Sequence, residues 1–425
     1  MAAAQRAGLG WEPHIATQVV TAVEDARAAR AVWTIALCSG IASLSMNFWI
    51  PFVPLYMKQL GATSDANALW WMGVAALVQG IGRFVAGPLW GVLSDRFGRR
   101  AMFLRALYSA SATMAVAALA TQPWHIAAAF GLQGLFSGFN PAATALISVT
   151  VSDRKLNSSL STTTAAQYIG NMLGPLVGGL LALSVGYRGA IIGGAIMPAL
   201  AATYAMLAVP RDAVGRGTPQ PSETGAAPAA VEITPFRALL TMQLGFALLI
   251  WFVSLAFSQS LRVAAPIALE QVVGGAAAAA VVTGAFTAAG LGGVIGVVVA
   301  QRLARPGQLK YALIATSIGA GVVHFALPWA GGSWPFIIAF GVIAMLQAAM
   351  VPATNTLIAS NAPRDRRGTA FGLASGMQAI AFAVGPMAAA GFAASFNLGF
   401  VLLGVIFIAL GAVIAVGVRE PDFAR

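Results

Sequence analysis

The chain has 425 residues, of which 59% are hydrophobic and only 9% are charged, and its mean hydropathy is +0.81. These proportions exclude a soluble globular protein. One bilayer-spanning helix takes about 20 apolar residues, so the composition predicts about twelve spans joined by short loops. The single cysteine, Cys38, lies in the first apolar run, which excludes a scaffold built on intramolecular disulfides.

Twelve apolar runs follow one another along the chain, after a polar segment 1–30 without the pattern of a cleavable signal peptide. The predicted spans, numbered 1 to 12 in chain order, are 31–57, 66–92, 101–121, 124–150, 157–184, 187–209, 236–268, 277–303, 309–330, 334–360, 367–394 and 396–418. Residues 210–235 are rich in Pro, Gly, Ala and Thr and predict a flexible linker between two six-helix halves, 31–209 and 236–418. A tail, 419–425, follows the second half.

The net charge of +11 is distributed unevenly over the connections. Most of the lysines and arginines lie in the even-numbered connections and the terminal segments, whereas the odd-numbered connections hold only Lys58 and Arg188. The positive-inside rule therefore predicts that both terminal segments, 1–30 and 419–425, and the linker lie in the cytoplasm. The membrane is expected to be the inner (cytoplasmic) membrane. Because the basic surface would face anionic lipid headgroups, the charge does not require nucleic acid as a partner.

An internal repeat connects the two halves. Pairs of identical residues recur at an offset of 211: Pro141 and Pro352, Gln167 and Gln378, Gly174 and Gly385, and Pro175 and Pro386. Two parallel six-helix halves with a site between them near the bilayer midplane are typical of secondary transporters.

The segment GPLWGVLSDRFGRR, from Gly87 to Arg100, ends span 2. Its glycines allow close helix approach and a tight turn, and its charges are suited to ion pairs or helix ends. The segment resembles motif A of the major facilitator superfamily, in which this cluster latches the two halves on the cytoplasmic side. The alternative is that the charges only fix the topology. The latch residues implied are Gly87, Gly91, Asp95, Arg96, Gly98 and Arg99.

The segment YIGNMLGPLVGGLL, from Tyr168 to Leu181, lies in span 5. Its glycines recur every four residues on one helix face, and its proline removes an amide donor. It resembles motif C of the drug:proton antiporters, and with PFVPLYMKQLG at the end of span 1 the first half resembles MdtG-like multidrug efflux proteins. This implies an all-α membrane protein with twelve transmembrane helices in two pseudo-repeats, the major facilitator fold. A hinge is expected at Gly170, Gly174, Pro175 and Gly178, with plain packing as the alternative.

One departure from that subgroup matters for coupling. Its motif B has an arginine three residues before a Gln-Gly pair in span 4, and here Phe130 stands before Gln133 and Gly134. None of the thirteen acidic residues lies at the middle of a predicted span. The remaining candidates for coupling are Asp95, Glu270 and His324, with packing as the alternative for the histidine.

Two arginines, Arg83 and Arg262, fall inside spans, where a charge is costly unless it faces protein, water or an anion. One or both arginines are expected to line the central cavity and to attract an anionic or zwitterionic substrate. The alternative for Arg262 is a structural pair, either with Glu270, two helical turns away, or with the carbonyls of a helix end. Neutral amides are candidates both for substrate contact and for helix packing. The candidates are Asn47, Gln133, Asn140, Gln167, Asn171, Gln259, Gln347, Asn355 and Gln378, of which Gln167 and Gln378 form the preferred pair.

The sequence predicts a transporter that exports small amphipathic molecules by alternating access, with protons as the coupling ion that the resemblance implies. It contains no HExxH or Walker-type motif, so no enzyme activity, cofactor or metal is expected. A carrier of organic anions, such as a carboxylate metabolite or siderophore, is the alternative transport function. A receptor or scaffold is the alternative of another class, and a monomer is the expected functional unit.

Overall fold

The computed structural model of the chain describes residues 13–136, 138–151, 153–209, 241–303, 307–363 and 366–420. The predicted linker 210–235 lies outside them, as do most of the predicted tail and the start of the N-terminal segment. The described chain is helical and contains no strand. Ten of its helical segments are long and apolar enough to cross a membrane, and two further spans come from a kinked and a broken helix.

The first half contains spans 1 to 6. Its helices are Pro13–Trp49, Val53–Gln59, Asp65–Phe97, Arg99–Ala118, Pro123–Phe136, Phe139–Thr150 and Asp153–Ala208, with a 3-10 turn at Ile50–Phe52. The helix of span 1 begins at Pro13, whereas its candidate membrane-crossing part is Ala26–Gln59, close to the predicted start at residue 31. The polar residues 13–30 continue the helix because helical backbone remains regular after it leaves the hydrocarbon region.

The helix Asp153–Ala208 has 56 residues and holds two spans. Straight, it would be about 84 Å long at 1.5 Å per residue, whereas the hydrocarbon core is about 30 Å thick. The chain turns back at Gly186, whose φ of 74° is unfavourable for residues with a Cβ. The prediction that spans 5 and 6 meet between residues 184 and 187 agrees with this turn.

Span 4 was predicted as one helix, 124–150, and this is wrong. It is divided into Pro123–Phe136 and Phe139–Thr150, and Gly138 has a φ of 127°. Carbonyls freed at such a break require other donors within the membrane. The indole of Trp90 donates to the carbonyl of Leu135 (2.7 Å), and the guanidinium of Arg105 donates to that of Phe136 (2.9 Å).

The second half contains spans 7 to 12, which follow the predicted order. Its helices are Met242–Val273, Gly275–Leu303, Leu309–His324, Ser333–Ser360, Arg367–Ala390 and Phe396–Gly417, with 3-10 turns at Leu327–Trp329 and Gly391–Ala394. Alternate connections fall at opposite ends of the bundle. We call the end with the connection between spans 1 and 2 the Lys58 end, and the end with the connection between spans 2 and 3 the Arg99 end.

Candidate functional site

The two halves meet along two pairs of spans, 5 with 8 and 2 with 11. Gly179 of span 5 faces Thr283 of span 8 so closely that an added Cβ would collide with the threonine side chain. Further along the same pair, a Cβ on Gly290 would lie 3.0 Å from Cγ of Met172. These glycines therefore permit the close approach of spans from different halves.

The predicted hinge glycines lie on the neighbouring face of span 5. A Cβ at Gly170 or Gly178 would collide with the backbone of span 1, at the carbonyls of Gly40 and Phe48. One at Gly174 would lie 2.8 Å from the carbonyl of Leu44. This face thus packs within the first half, and Gly186 is the position of non-helical backbone in the helix, whereas Pro175 lies within it. The hinge stays a prediction.

Asn47 and Gln259 occupy equivalent places in the two halves. The Cβ of Asn47 lies next to Gly174, and the Cβ of Gln259 lies next to Gly385, the repeat mate of Gly174. Asn47 donates to the side-chain oxygen of Asn171 in span 5 at 2.7 Å and to a backbone carbonyl of its own helix at 3.0 Å. Because Asn171 is exposed, this amide pair keeps polar groups accessible.

Gln133 was predicted either to bind substrate or to pack between helices; it is buried here, and its contact with substrate stays a prediction. Its side chain is 4% exposed, accepts a hydrogen bond from Gln79 and donates to the sulfur of Met46 at 2.8 Å. The amide is thus enclosed between spans 1, 2 and 4. Gln347 has a comparable position in the second half, where its oxygen accepts a hydrogen bond from Ser258 at 2.7 Å.

The other predicted amides differ in exposure. Gln167, Gln378 and Asn355 are half-buried, and their side chains form no hydrogen bond with another described residue. Asn140 is exposed and lines a cavity inside the first half. The contact of these four residues with substrate stays a prediction.

Arg262 remains accessible although protein surrounds it on nearly every side. Its guanidinium carbon lies 5.8 Å from the ring centroid of Phe286 in span 8, one helical turn from the inter-half contact at Thr283. The expected pair with Glu270 is wrong, because that carboxylate binds Lys58. Within the described chain no hydrogen bond or ion pair occupies Arg262, so the guanidinium is available to an anion beside the inter-half boundary.

Lys58 joins the halves at its own end of the bundle. Its ammonium group lies 2.5 Å from a carboxylate oxygen of Glu270 in span 7 and 2.9 Å from one of Asp65 in span 2. Gln271 adds a hydrogen bond across the halves to Asp65 at 2.7 Å. The sequence provided one sign of this cluster, since Lys58 is one of two cations in the odd-numbered connections, but its partners could not be assigned.

The motif at the Arg99 end makes a different set of contacts. Arg99 donates to the carbonyl of Ala145 at 3.0 Å and the hydroxyl of Ser148 at 2.7 Å, both in span 4 of the same half. Gly98 forms the turn between spans 2 and 3 with a φ of 89°, and the accessible Arg96 lies next to Phe97. The side-chain surroundings of Gly87, Gly91 and Asp95 lie outside the described part. The one ion pair between the halves in the described part of the chain, Lys58 with Glu270, is thus at the Lys58 end.

His324 and Arg83 have different surroundings. His324 is fully buried, hydrogen bonds to the carbonyl of Ala320 through Nδ1 at 2.6 Å and stacks on Phe407 of span 12. This surrounding is that of a packing histidine, and a coupling role for His324 stays a prediction. Arg83 lines the same first-half cavity as Asn140.

Comparison with known proteins adds a family and several relatives. The profile of the Major Facilitator Superfamily matches residues 35–329 and 258–425. The multidrug resistance protein MdtG of Escherichia coli is 36% identical over 148 residues, which are 35% of this chain and 36% of that relative. The match therefore spans about a third of the length of each protein.

Solved structures share the fold at low sequence identity. A bacterial homologue of the human lysosomal transporter Spinster, solved in an inward-facing and unoccupied conformation, has a TM-score of 0.75 at 13% identity, over 93% of this chain and 98% of that one. The human organic anion transporter MFSD10 has a TM-score of 0.61 at 18% identity, over 91% and 99% of the two chains. These similarities confirm the predicted twelve-helix architecture.

Proposed function

The chain belongs to the major facilitator superfamily and is a multi-pass membrane transporter, and on that premise we propose that it exports small amphipathic molecules by alternating access. Both termini and the Arg99 end lie in the cytoplasm of a cell with an inner membrane, in accordance with the positive-inside rule. The chain acts as a monomer, since each chain contributes both halves of the pathway.

The contacts of Lys58 carry the proposal of alternating access. They join the halves at the outer end, whereas Arg99 at the cytoplasmic end is bound to its own half. In this proposal the described state is the one closed to the outside, and export requires the outer contacts between the halves to break. Glu270 is the residue through which proton entry would act on the outer end, since its carboxylate forms the ion pair with Lys58 that crosses the halves.

The proposed substrate class is supported by the relative and by the neutral character of the polar groups. MdtG is named a multidrug resistance protein, and its similarity to this chain supports efflux. Asn47, Asn171 and Gln259 offer hydrogen bonds without charge, which suits molecules of varied structure. A second function, transport of organic anions, is favoured by the accessible and unpaired Arg262.

Substrate-dependent proton flux in proteoliposomes with a pH-sensitive dye tests both functions. Lipophilic cations and organic anions are compared in the wild type, Arg262→Ala and Arg262→Lys. Flux driven by cations and unchanged in Arg262→Ala supports multidrug efflux. Flux selective for anions, lost in Arg262→Ala and retained in Arg262→Lys, contradicts multidrug efflux and assigns the arginine to an anion site.

A further inference from the structure

A large cavity is lined by described residues of the first half. Its volume is about 960 Å³, and its described walls come from spans 2, 3 and 4 near the Arg99 end. Neither Arg262 nor the residues bonded to Lys58 are among its described lining residues. A ligand in this cavity would therefore bind a different set of residues from those that support the proposed function.

Three arginines line this cavity: Arg83, Arg99 and Arg105. None of the described lining residues is acidic. Within the membrane, arginines in one cavity repel one another and remain costly unless an anion or water offsets them. The cavity thus has a local excess of positive charge among its described residues.

The three guanidinium groups differ in what holds them. Arg105 stacks on Trp90, with 3.6 Å from its guanidinium carbon to the ring centroid, and donates to the freed carbonyl of Phe136. Arg99 is held by Ala145 and Ser148. Arg83 forms no hydrogen bond or ion pair with the described chain, yet it is accessible from the cavity. Two arginines have structural partners, and the third keeps its full donor capacity.

The break in span 4 adds a second source of positive potential. The helix Phe139–Thr150 begins at the cavity, its N-cap residue is Gly138, and no side chain caps its first amides. The free amides and the dipole of a 12-residue helix favour an anion at its N-terminus. This potential and the guanidinium groups act on the same space.

The rest of the wall is largely apolar, with Trp90, Met102 and Phe139 as its large side chains. An inorganic ion alone would leave that surface without contact, whereas a molecule with an apolar chain would cover it. We propose that this cavity binds an amphiphile with one anionic group, a phosphate or a carboxylate. The anionic group binds Arg83 and the start of the helix Phe139–Thr150, and the apolar chain packs on Trp90 and Phe139. An acidic membrane lipid and a soluble organic acid both have this chemistry.

Quenching of tryptophan fluorescence by brominated lipid chains tests the proposal, because Trp90 lines the cavity. The purified full chain in detergent is titrated with phosphatidylglycerol and with phosphatidylcholine, each carrying the same brominated chains. A Trp90→Phe variant identifies the part of the quenching that comes from this indole. Inorganic phosphate and octanoate are added as competitors, with chloride at equal ionic strength as the control.

Arg83→Gln is the main variant, since losing this side chain leaves no described hydrogen-bond partner unsatisfied. Arg83→Lys keeps the charge, and Arg27→Gln removes an equal charge from an exposed position outside the cavity. We expect Arg83→Gln to weaken Trp90-dependent binding of phosphatidylglycerol about tenfold, as for one charge-assisted contact. The affinities of Arg83→Lys and Arg27→Gln for phosphatidylglycerol should lie within about twofold of the wild-type affinity.

The outcomes separate the sources of the ligand. Binding of phosphatidylglycerol that depends on Arg83 and resists octanoate supports an acidic lipid, whereas displacement by octanoate beyond the chloride control supports a soluble organic acid. Equal quenching by the two lipids overturns the proposal. So does equal binding in Arg83→Gln and the wild type, or an equal loss in Arg27→Gln, which would indicate general surface charge.

Discussion

Replacing Lys58 with glutamine should shift the transporter towards a state open at the Lys58 end. The side chains of Lys58, Asp65 and Glu270 are 31%, 23% and 22% exposed, so solvent partly screens both ion pairs. An ion pair of this kind contributes about 0.2–1 kcal/mol. Loss of the pair between Lys58 and Glu270, with Glu270 and Asp65 left to repel each other across the halves, shifts the equilibrium by about 1 kcal/mol, or about fivefold.

Spin-label distances across the Lys58 end measure this shift. Thr63 of the first half and Val272 of the second are exposed, lie beside the cluster and take no part in its bonds, so cysteines there can carry the labels. The buried Cys38 is replaced by serine, whose hydroxyl can keep the hydrogen bond to the carbonyl of Ala201. The fraction of long distances should rise in Lys58→Gln.

Lys310→Gln is the matched control, because it removes the same charge at the opposite end of the bundle and should leave the distances unchanged. If Lys58→Gln shows the same distance distribution as the wild type, the ion pairs do not hold this end closed. An equal change in Lys310→Gln would also refute the reasoning, since the effect would then depend on net charge.

Four further predictions concern packing, substrate contact and coupling. Gly178→Ala should lower the free energy of unfolding, measured by thermal denaturation, by about 1–3 kcal/mol or more, because the new Cβ would collide with span 1. Gly372→Ala is the control and should leave the free energy of unfolding nearly unchanged, because the space around its new methyl group is open. Equal effects of the two substitutions would contradict the packing argument. Asn47→Ala should raise the KM of transport a few-fold. The free energy of unfolding should stay nearly constant, since an inter-helix hydrogen bond in a membrane contributes about 0.6 kcal/mol. An unchanged KM would assign the amide to packing. His324→Leu should retain substrate-driven proton flux in proteoliposomes. A loss of flux in folded protein would indicate that the histidine carries protons. Glu270→Gln should retain substrate binding but abolish the proton flux, whereas unchanged flux would remove Glu270 from coupling.

The twelve-span architecture could be predicted because it depends on composition and on an internal repeat. A span needs only enough consecutive apolar residues, and pairs such as Gly174 and Gly385 give the register of the two halves. The equivalence of Asn47 and Gln259 was also in the sequence, at an offset of 212. It was missed because their residue types differ, whereas their shared position beside equivalent glycines is visible only in three dimensions.

The break in span 4 could not be predicted from hydropathy. Residues 137 and 138 are Ser and Gly, which occur in many intact membrane helices, and the run remains apolar on both sides. The side chains that stabilise the break are remote in sequence, since Trp90 and Arg105 donate hydrogen bonds to the freed carbonyls. The ion-pair partner of Glu270 was mistaken for a similar reason. Arg262 is close along the helix, but Lys58 comes from the other half of the molecule.

If substrate and protons bind at different depths, substrate export and proton entry are coupled through a conformational change. Arg262 precedes Glu270 by eight residues in one helix, which separates them by about 12 Å along its axis. A proton on Glu270 therefore cannot compete directly with a ligand beside Arg262, as it could if one carboxylate bound both. The proton changes instead the stability of the contacts of Lys58 that join the halves. If the outer end opens on protonation, substrate is released to the outside as the proton enters. Coupling of this kind requires no carboxylate at mid-depth, which agrees with the positions of the acidic residues in the sequence.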